Sequence, residues 1–326
     1  MSDWERRMSG RTTAEGHLGS ASARQRTLRN PVQCNGVGLH SGLPVKMTLL
    51  PAAPNTGIVF RRTDVPAAQG VFPARWDVVA KTMHATLLQN DHGTTLSTVE
   101  HLMAALAGIG VDNVTVQVDG PELPIMDGSS EPFVFLMDLA GIVEQNASRR
   151  FLKILRPVEV TIGNKHAVMQ PADAFEIECS IDFDASAIAQ QSATVTVNET
   201  TFRNDISRAR TFVRLAEVDA LKAHGLAKGG SLENAVVVDD AAVLNPEGLR
   251  FSDEFVRHKV LDCIGDFALA GAPILGRLVA ARTGHALNNA LVRAIFADPA
   301  NYTYVEQEAA YGAPAMIDLP AVAAVA

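Results

Sequence analysis

Cysteine is scarce. Only Cys34, Cys179 and Cys263 occur among 326 residues, far apart along the chain. No pair has zinc-finger or redox-motif spacing, and an odd number of thiols fits a reducing compartment better than a disulfide scaffold. Long apolar runs are missing too, since no stretch approaches the roughly 18 apolar residues a membrane span needs. The amino-terminal MSDWERRMSGRTTAEGHLGSASARQ has no apolar centre and does not read as a secretory signal. Residues 1–24 are therefore expected to form a flexible extension and residues 306–326 a carboxy-terminal tail too short to anchor anything. A basic excess is also lacking. Against 36 Asp and Glu stand 28 Lys and Arg, a net charge of −8. That argues against non-specific nucleic-acid binding, although a local basic patch could still hold a phosphorylated small molecule. These absences together point to a cytoplasmic protein.

What is present is globular: 47% of residues are hydrophobic and 20% charged, on a chain long enough for one large domain or two ordinary ones. RTLRNPVQCNGVGLHSGLPVKMTLLPAA alternates and breaks at Gly and Pro, as strands and turns do. STVEHLMAALAGIG has helical periodicity and stops at glycine, NVTVQVDG alternates as a strand, and PFVFLMDLAGIV reads as a second helix. A polar break, EQNASRR (144–150), follows. Strands then resume in FLKILRPVEVTIG, HAVMQPA, FEIECSIDFD and SATVTV. A helix is expected near 213–224, a strand at NAVVVDD, a long helix from about 253 to 270, and a closing helix in HALNNALVRAIFAD. Strands cluster before helices in each half. The expectation is two α+β domains, 25–148 and 149–305, rather than alternating βαβ units.

Within the long helix, His258, Asp262 and Asp266 stand four residues apart. With Lys259 they occupy about 100° of the helical circumference, while Val256, Val260, Leu261, Ile264, Phe267 and Ala268 take the opposite side. Such a stripe suits a solvated face with ion pairs. The same stripe is open to a sharper reading, a metal chelate in which His258 and Asp262 are two ligands and a third comes from elsewhere. The helix STVEHLMAALAG offers His101 as that third ligand and Glu100 as a general base. Ser97-x-x-Glu100 also has the form of a capping box, which would give Glu100 a purely structural duty. His285, in RTGHALNNA, enters the last helix and could act as an acid or an electrostatic stabiliser. GVGLHSG matches no dinucleotide or phosphate-binding loop.

Taken in order, GVGLHSG, STVEHLMAALAGIGVDN, PIMDGSSEPF, SRARTF, GLAKGGSLENAVVVDD, LNPEGLRFSDEFVRHKVLDCIGD and GHALNNALV resemble one family: the zinc-dependent UDP-3-O-acyl-N-acetylglucosamine deacetylases of lipid A biosynthesis. The resemblance runs from about residue 25 to 305. It implies an α+β fold of two similar domains, each a sheet with helices on one face. The helix layers pack together with the active site between the domains. It implies Zn2+ held by His101, His258 and Asp262, with the fourth position open. Glu100 would be the general base on the zinc-bound water. Thr211 and His285 would stabilise the oxyanion, His285 would protonate the leaving amine, and Asp266 would orient His285. Lys259 would contact the diphosphate or sugar. The implied substrate is a nucleotide sugar with one long acyl chain, which loses acetate in the committed step of lipid A biosynthesis. By position, 212–232 would form the acyl passage, with Phe212, Leu215, Val218 and Leu221 as its apolar stripe. Phe183, with Asp182 nearby, is suggested for the uracil. The resemblance also suggests a monomer; no membrane anchor is visible in the sequence, although so amphiphilic a substrate is compatible with peripheral membrane contact. Residues 160–205 match the family only loosely. Two other readings compete: the same scaffold acting on another N-acylated sugar, and a non-catalytic nucleotide-sugar binder with a solvated stripe.

Overall fold

The computed structural model describes residues 22–306; the extension expected over residues 1–24 and the tail expected over 306–326 lie almost wholly outside them. The chain is α+β. Five strands of the amino-terminal half form one sheet in the order 32–37, 44–51, 114–118, 58–62 and 71–73. Its centre is Val114–Val118, antiparallel to Pro44–Pro51 and parallel to Ile58–Arg62. The alternation read from the sequence is what places it there. Val114, Val116 and Val118 point inward and are buried, while Thr115 and Gln117 point the other way. The second sheet is built around Ile274–Ala281, whose alternate side chains are buried along its whole length. That strand pairs antiparallel with Lys165–Gln170 and parallel with Phe175–Asp182 and Arg150–Ile154.

Five helices position the site: α1 (Glu100–Ile109), α2 (Glu131–Ala140), α3 (Leu215–Ala223), α4 (Glu254–Ala268) and α5 (His285–Phe296). Helix α2 packs on strand 32–37 and on α1. Helix α4 packs on strands 175–182 and 190–196, and α5 on strands 158–162 and 165–170. Helices α1 and α4 then lie against each other, so two helix layers meet between the two sheets. The closeness of that meeting depends on Gly265. A Cβ at this position would collide with the main-chain carbonyl of Glu100. Helix α1 ends where the sequence indicates, at Gly110 with φ 81°, a left-handed cap that glycine adopts without strain.

Two sequence expectations need correction. Residues 144–150 are not a break. Ile142–Ser148 is a strand, antiparallel to Arg24–Leu28, and Arg150–Ile154 follows directly. Its alternate residues are exposed and half-buried, so no apolar face marks it, and PFVFLMDLAGIV accordingly leaves the helix at Gly141. Nor does α5 close the fold, because Tyr302–Glu306 returns as a strand beside Arg150–Ile154. Among the described residues no helix is long and apolar enough to cross a membrane.

Candidate metal and catalytic site

The polar stripe of α4 does not face water. His258, Asp262 and Asp266 are all buried, because α1 lies across them. Helix α1 brings His101 to the same place. His101, His258 and Asp262 each offer one ligand atom, and these atoms lie within 4.8 Å of one another. Nε2 of His258 is 3.3 Å from Asp262 Oδ1, and Nε2 of His101 is 3.7 Å from the same oxygen. The other nitrogen of His258 is occupied, with Nδ1 3.0 Å from the Ala209 carbonyl, which accepts its proton and leaves the Nε2 lone pair aimed at the cluster. Asp262 Oδ2 accepts from Lys259 Nζ at 2.8 Å, whereas Oδ1 is buried and has no hydrogen-bond partner among the described residues. An orphaned buried carboxylate oxygen facing two imidazole lone pairs is costly unless a cation sits among them. The donor set thus fits a divalent metal.

Electrostatics prepare the same atoms. Burial, reinforced by the neighbouring His258, drops the His101 pKa to about 3, and burial also lowers that of His258, so both rings are neutral. Burial alone would raise Asp262, but the Lys259 ammonium, the largest opposing influence, holds its carboxyl well below the usual range. Lys259 in turn is raised, Asp262 outweighing the cost of burial.

Beside this cluster lies a second one. Glu100 is 3% exposed, and burial pushes its pKa up to about 7, against the opposing pull of His285. Its Oε2 accepts from the Thr86 amide at 3.1 Å, and its Oε1 lies 3.7 Å from His285 Nε2. The capping-box alternative fails on this geometry. Val99, not Ser97, precedes the first helical residue, and the Ser97 amide bonds to the Pro121 carbonyl. His285 opens α5, and its Nδ1 donates to Asp266 Oδ2 at 2.8 Å. Burial works against an imidazolium here, yet the Asp266 and Glu100 carboxylates overcome it and lift the His285 pKa to about 10. Asp266 is held on both oxygens, by Thr86 Oγ1 at 2.7 Å and by Asn288 Nδ2 at 2.8 Å.

The remaining candidates divide. Thr211 follows two residues after the carbonyl that holds His258, in a backbone fixed by its amide to the Gly128 carbonyl at 2.8 Å. Phe212 is drawn in. Its ring centroid is 6.3 Å from that of His258 and 5.5 Å from Lys259 Nζ, and Phe183 meets it edge-on at 5.5 Å. Asp182 instead pairs with Arg282 on the outer side, which lowers its pKa. Leu215 opens α3, a helix with no buried residue, and is 41% exposed. Reasoning from sequence overlooked Thr86, Asn288 and the Ala209 carbonyl. None of these has a local signature, and each is identified only by the residue it faces. His40, in GVGLHSG, lies within electrostatic reach of Glu122 and His285. A cavity of about 1510 Å³ lies elsewhere, beside Met103, Leu106, Ile264 and Phe267, and borders none of these groups.

A family model described as UDP-3-O-acyl N-acetylglycosamine deacetylase matches residues 25–297. The chain belongs to the UDP-3-O-acyl-N-acetylglucosamine deacetylase family. Relatives carrying that name include a protein of Shewanella frigidimarina (strain NCIMB 400), 52% identical over 275 residues, which cover 84% of this chain and 90% of that one. A protein of Shewanella oneidensis is 49% identical over 298 residues, 91% of this chain and 97% of its own. One from Myxococcus xanthus (strain DK1622) is 52% identical over 285 residues, 87% and 90% of the two chains. The matched span takes in all five residues on which the two clusters turn, Glu100 and His101 on α1, His258 and Asp262 on α4 and His285 on α5. Membership in the deacetylase family therefore covers both halves of the chain and both helices that face each other.

Proposed function

We propose that this protein hydrolyses the N-acetyl group of UDP-3-O-acyl-N-acetylglucosamine, releasing acetate and UDP-3-O-acyl-glucosamine, as a zinc-dependent step of lipid A biosynthesis in the cytoplasm. The observation that carries the proposal is the meeting of two buried clusters from facing helices. One is His101, His258 and Asp262 with an unpartnered carboxylate oxygen; the other is Glu100 and His285 beside it. Family membership supports the substrate, and the donor set supports the metal. Two imidazoles and one carboxylate are a ligand set that zinc takes with its fourth position open. When bound, the ion supplies Lewis acidity and lowers the pKa of the attacking water.

The chain's own groups then divide the proton traffic. Glu100, with a pKa near 7, accepts the proton of the attacking water. His285 is the imidazolium of the pair, kept charged by Asp266 on its far nitrogen. It offers Nε2–H to the negative charge that develops on the amide oxygen and then protonates the departing amine. Thr211 adds a hydrogen bond to the same oxygen. Lys259 spends one of its three donors on Asp262 and has the others for the diphosphate or sugar. The acyl chain lies along the exposed α3 and segment 212–232, past Phe212 and Leu215, and Phe183 takes the uracil. Two domains meeting at 148/149 enclose the site, and the protein works as a monomer.

Glu100→Gln tests the proton-accepting role. It is nearly isosteric and cannot accept the proton. Zinc content should stay near one per chain while acetate release falls by about 10²- to 10⁴-fold. Turnover within about threefold of wild type would remove Glu100 from the chemistry.

A further inference from the structure

Thr86 joins the two halves of the proton machinery through one residue. It is 2% exposed and stands just before the strand Leu87–Gln89, in the hairpin that precedes α1. Its amide donates to Glu100 Oε2 at 3.1 Å, and its hydroxyl donates to Asp266 Oδ1 at 2.7 Å. Asp266 then accepts from His285 Nδ1, and His285 Nε2 faces Glu100 Oε1 at 3.7 Å. The four residues close a ring: α1 supplies Glu100, α4 Asp266, α5 His285, and the hairpin Thr86.

We infer that Thr86 is a positioning residue for the proposed reaction. Its two donors, one on the backbone and one on the side chain, fix the separation between the Glu100 carboxylate and the Asp266–His285 pair. An amide alone could orient Glu100, and Asn288 already gives Asp266 a second donor. His285 reaches Glu100 only across 3.7 Å, whereas Thr86 hydrogen-bonds both carboxylates, Glu100 through its amide and Asp266 through its hydroxyl. Asp266 accepts from three protein donors, and removing this one frees Oδ1 while Oδ2 keeps His285 and Asn288. The carboxylate then turns about its own axis, and the imidazole it holds turns with it. A tilt of that kind at an acid–base pair lowers the rate of the chemical step and leaves substrate binding alone.

The inference rests on the proposed deacetylation, and the test separates the two. Thr86→Val keeps the shape and the amide but loses the hydroxyl; Thr86→Ser keeps both donors. Acetate release from UDP-3-O-acyl-N-acetylglucosamine should show kcat for Thr86→Val reduced by about 10- to 100-fold, the range expected for a lost hydrogen bond to a charged group. KM should stay within about twofold, and Thr86→Ser should recover kcat to within about threefold of wild type. Independently of turnover, the His285 Nδ1–H proton resonance of the metal-free protein should move in Thr86→Val and hold its place in Thr86→Ser. Wild-type kcat in Thr86→Val, or an unmoved resonance, overturns the inference while leaving the proposed activity intact. Equal losses of kcat and stability in both variants overturn it as well, since Thr86 would then be a structural residue only. A wild-type protein without turnover removes the proposed activity, and the positioning role with it.

Discussion

The loop that holds His258 is itself held by a buried ion pair, and breaking it should weaken both the fold and the site. Arg210 follows Ala209, whose carbonyl receives His258 Nδ1. The Arg210 side chain is 2% exposed. It donates from Nε to Glu254 Oε1 at 2.8 Å, from Nη2 to Glu254 Oε2 at 3.1 Å and to the Gly248 carbonyl at 2.7 Å. Glu254, in the first turn of α4, is fully buried and keeps only two backbone amides, those of Arg210 and Arg250, if the guanidinium goes. Arg210→Ala therefore strands a carboxylate in the interior. Removing one partner of such a pair costs about 3–5 kcal/mol. For a chain of this size each kcal/mol shifts Tm by roughly 2–4 °C, so a fall of about 6–20 °C is expected by scanning calorimetry. Metal affinity should fall by about 10- to 100-fold, the usual cost of losing an outer support of a ligand. The double substitution Arg210→Met with Glu254→Met removes both charges and should regain most of the lost Tm, though not all of the metal affinity. A Tm within about 2 °C of wild type for Arg210→Ala would show that the pair carries no such cost.

Two further outcomes follow from the helix contact and the charge pattern. Gly265→Ala should force α1 and α4 apart, because the new methyl meets the Glu100 main chain rather than a side chain that could rotate away. A loss of at least about 1–3 kcal/mol in denaturant unfolding is expected, together with weaker metal binding; unchanged stability and metal content would mean that the helices do not pack this closely. In metal-free protein, His285 should titrate near 10 by NMR, and Asp266→Asn should lower that value, since Asp266 is the largest favourable influence on the imidazolium. The folded pKa is raised above the unfolded value of about 6.5. The stability this histidine contributes is therefore complete below about 6.5 and is lost as pH rises through about 10. A His285 titration near 6.5 in the wild type would refute the charged pair.

Helix α4 was legible because its two faces differ in chemistry over fifteen residues, so its length, its stripe and its apolar side all follow from the pattern. What lies opposite the stripe was not. A run of His258, Asp262 and Asp266 looks the same whether water or another helix covers it, and only α1 across Gly265 decides between the two. Glu100 carried the reverse ambiguity. Its spacing from Ser97 imitates a capping box, but the helix begins at Glu100 itself and the side chain turns into the core, onto the Thr86 amide. Thr86 and Asp266 are separated by 180 residues, and nothing in either neighbourhood announces the bond between them. The strands Ile142–Ser148 and Tyr302–Glu306 were missed for a different reason. Neither buries a full apolar face, so the alternation that marks a half-buried strand is faint. The family's motifs, rather than the periodicity, brought His101, His258 and Asp262 together before any coordinates did.

The most direct measurement is zinc content and acetate release for the wild type and His258→Ala side by side, with UDP-3-O-acyl-N-acetylglucosamine as substrate. About one zinc per wild-type chain with turnover, both sharply reduced in His258→Ala, is the result expected if the stripe on α4 holds the metal. Turnover that survives in His258→Ala, or a wild type that hydrolyses the substrate without metal, would contradict it.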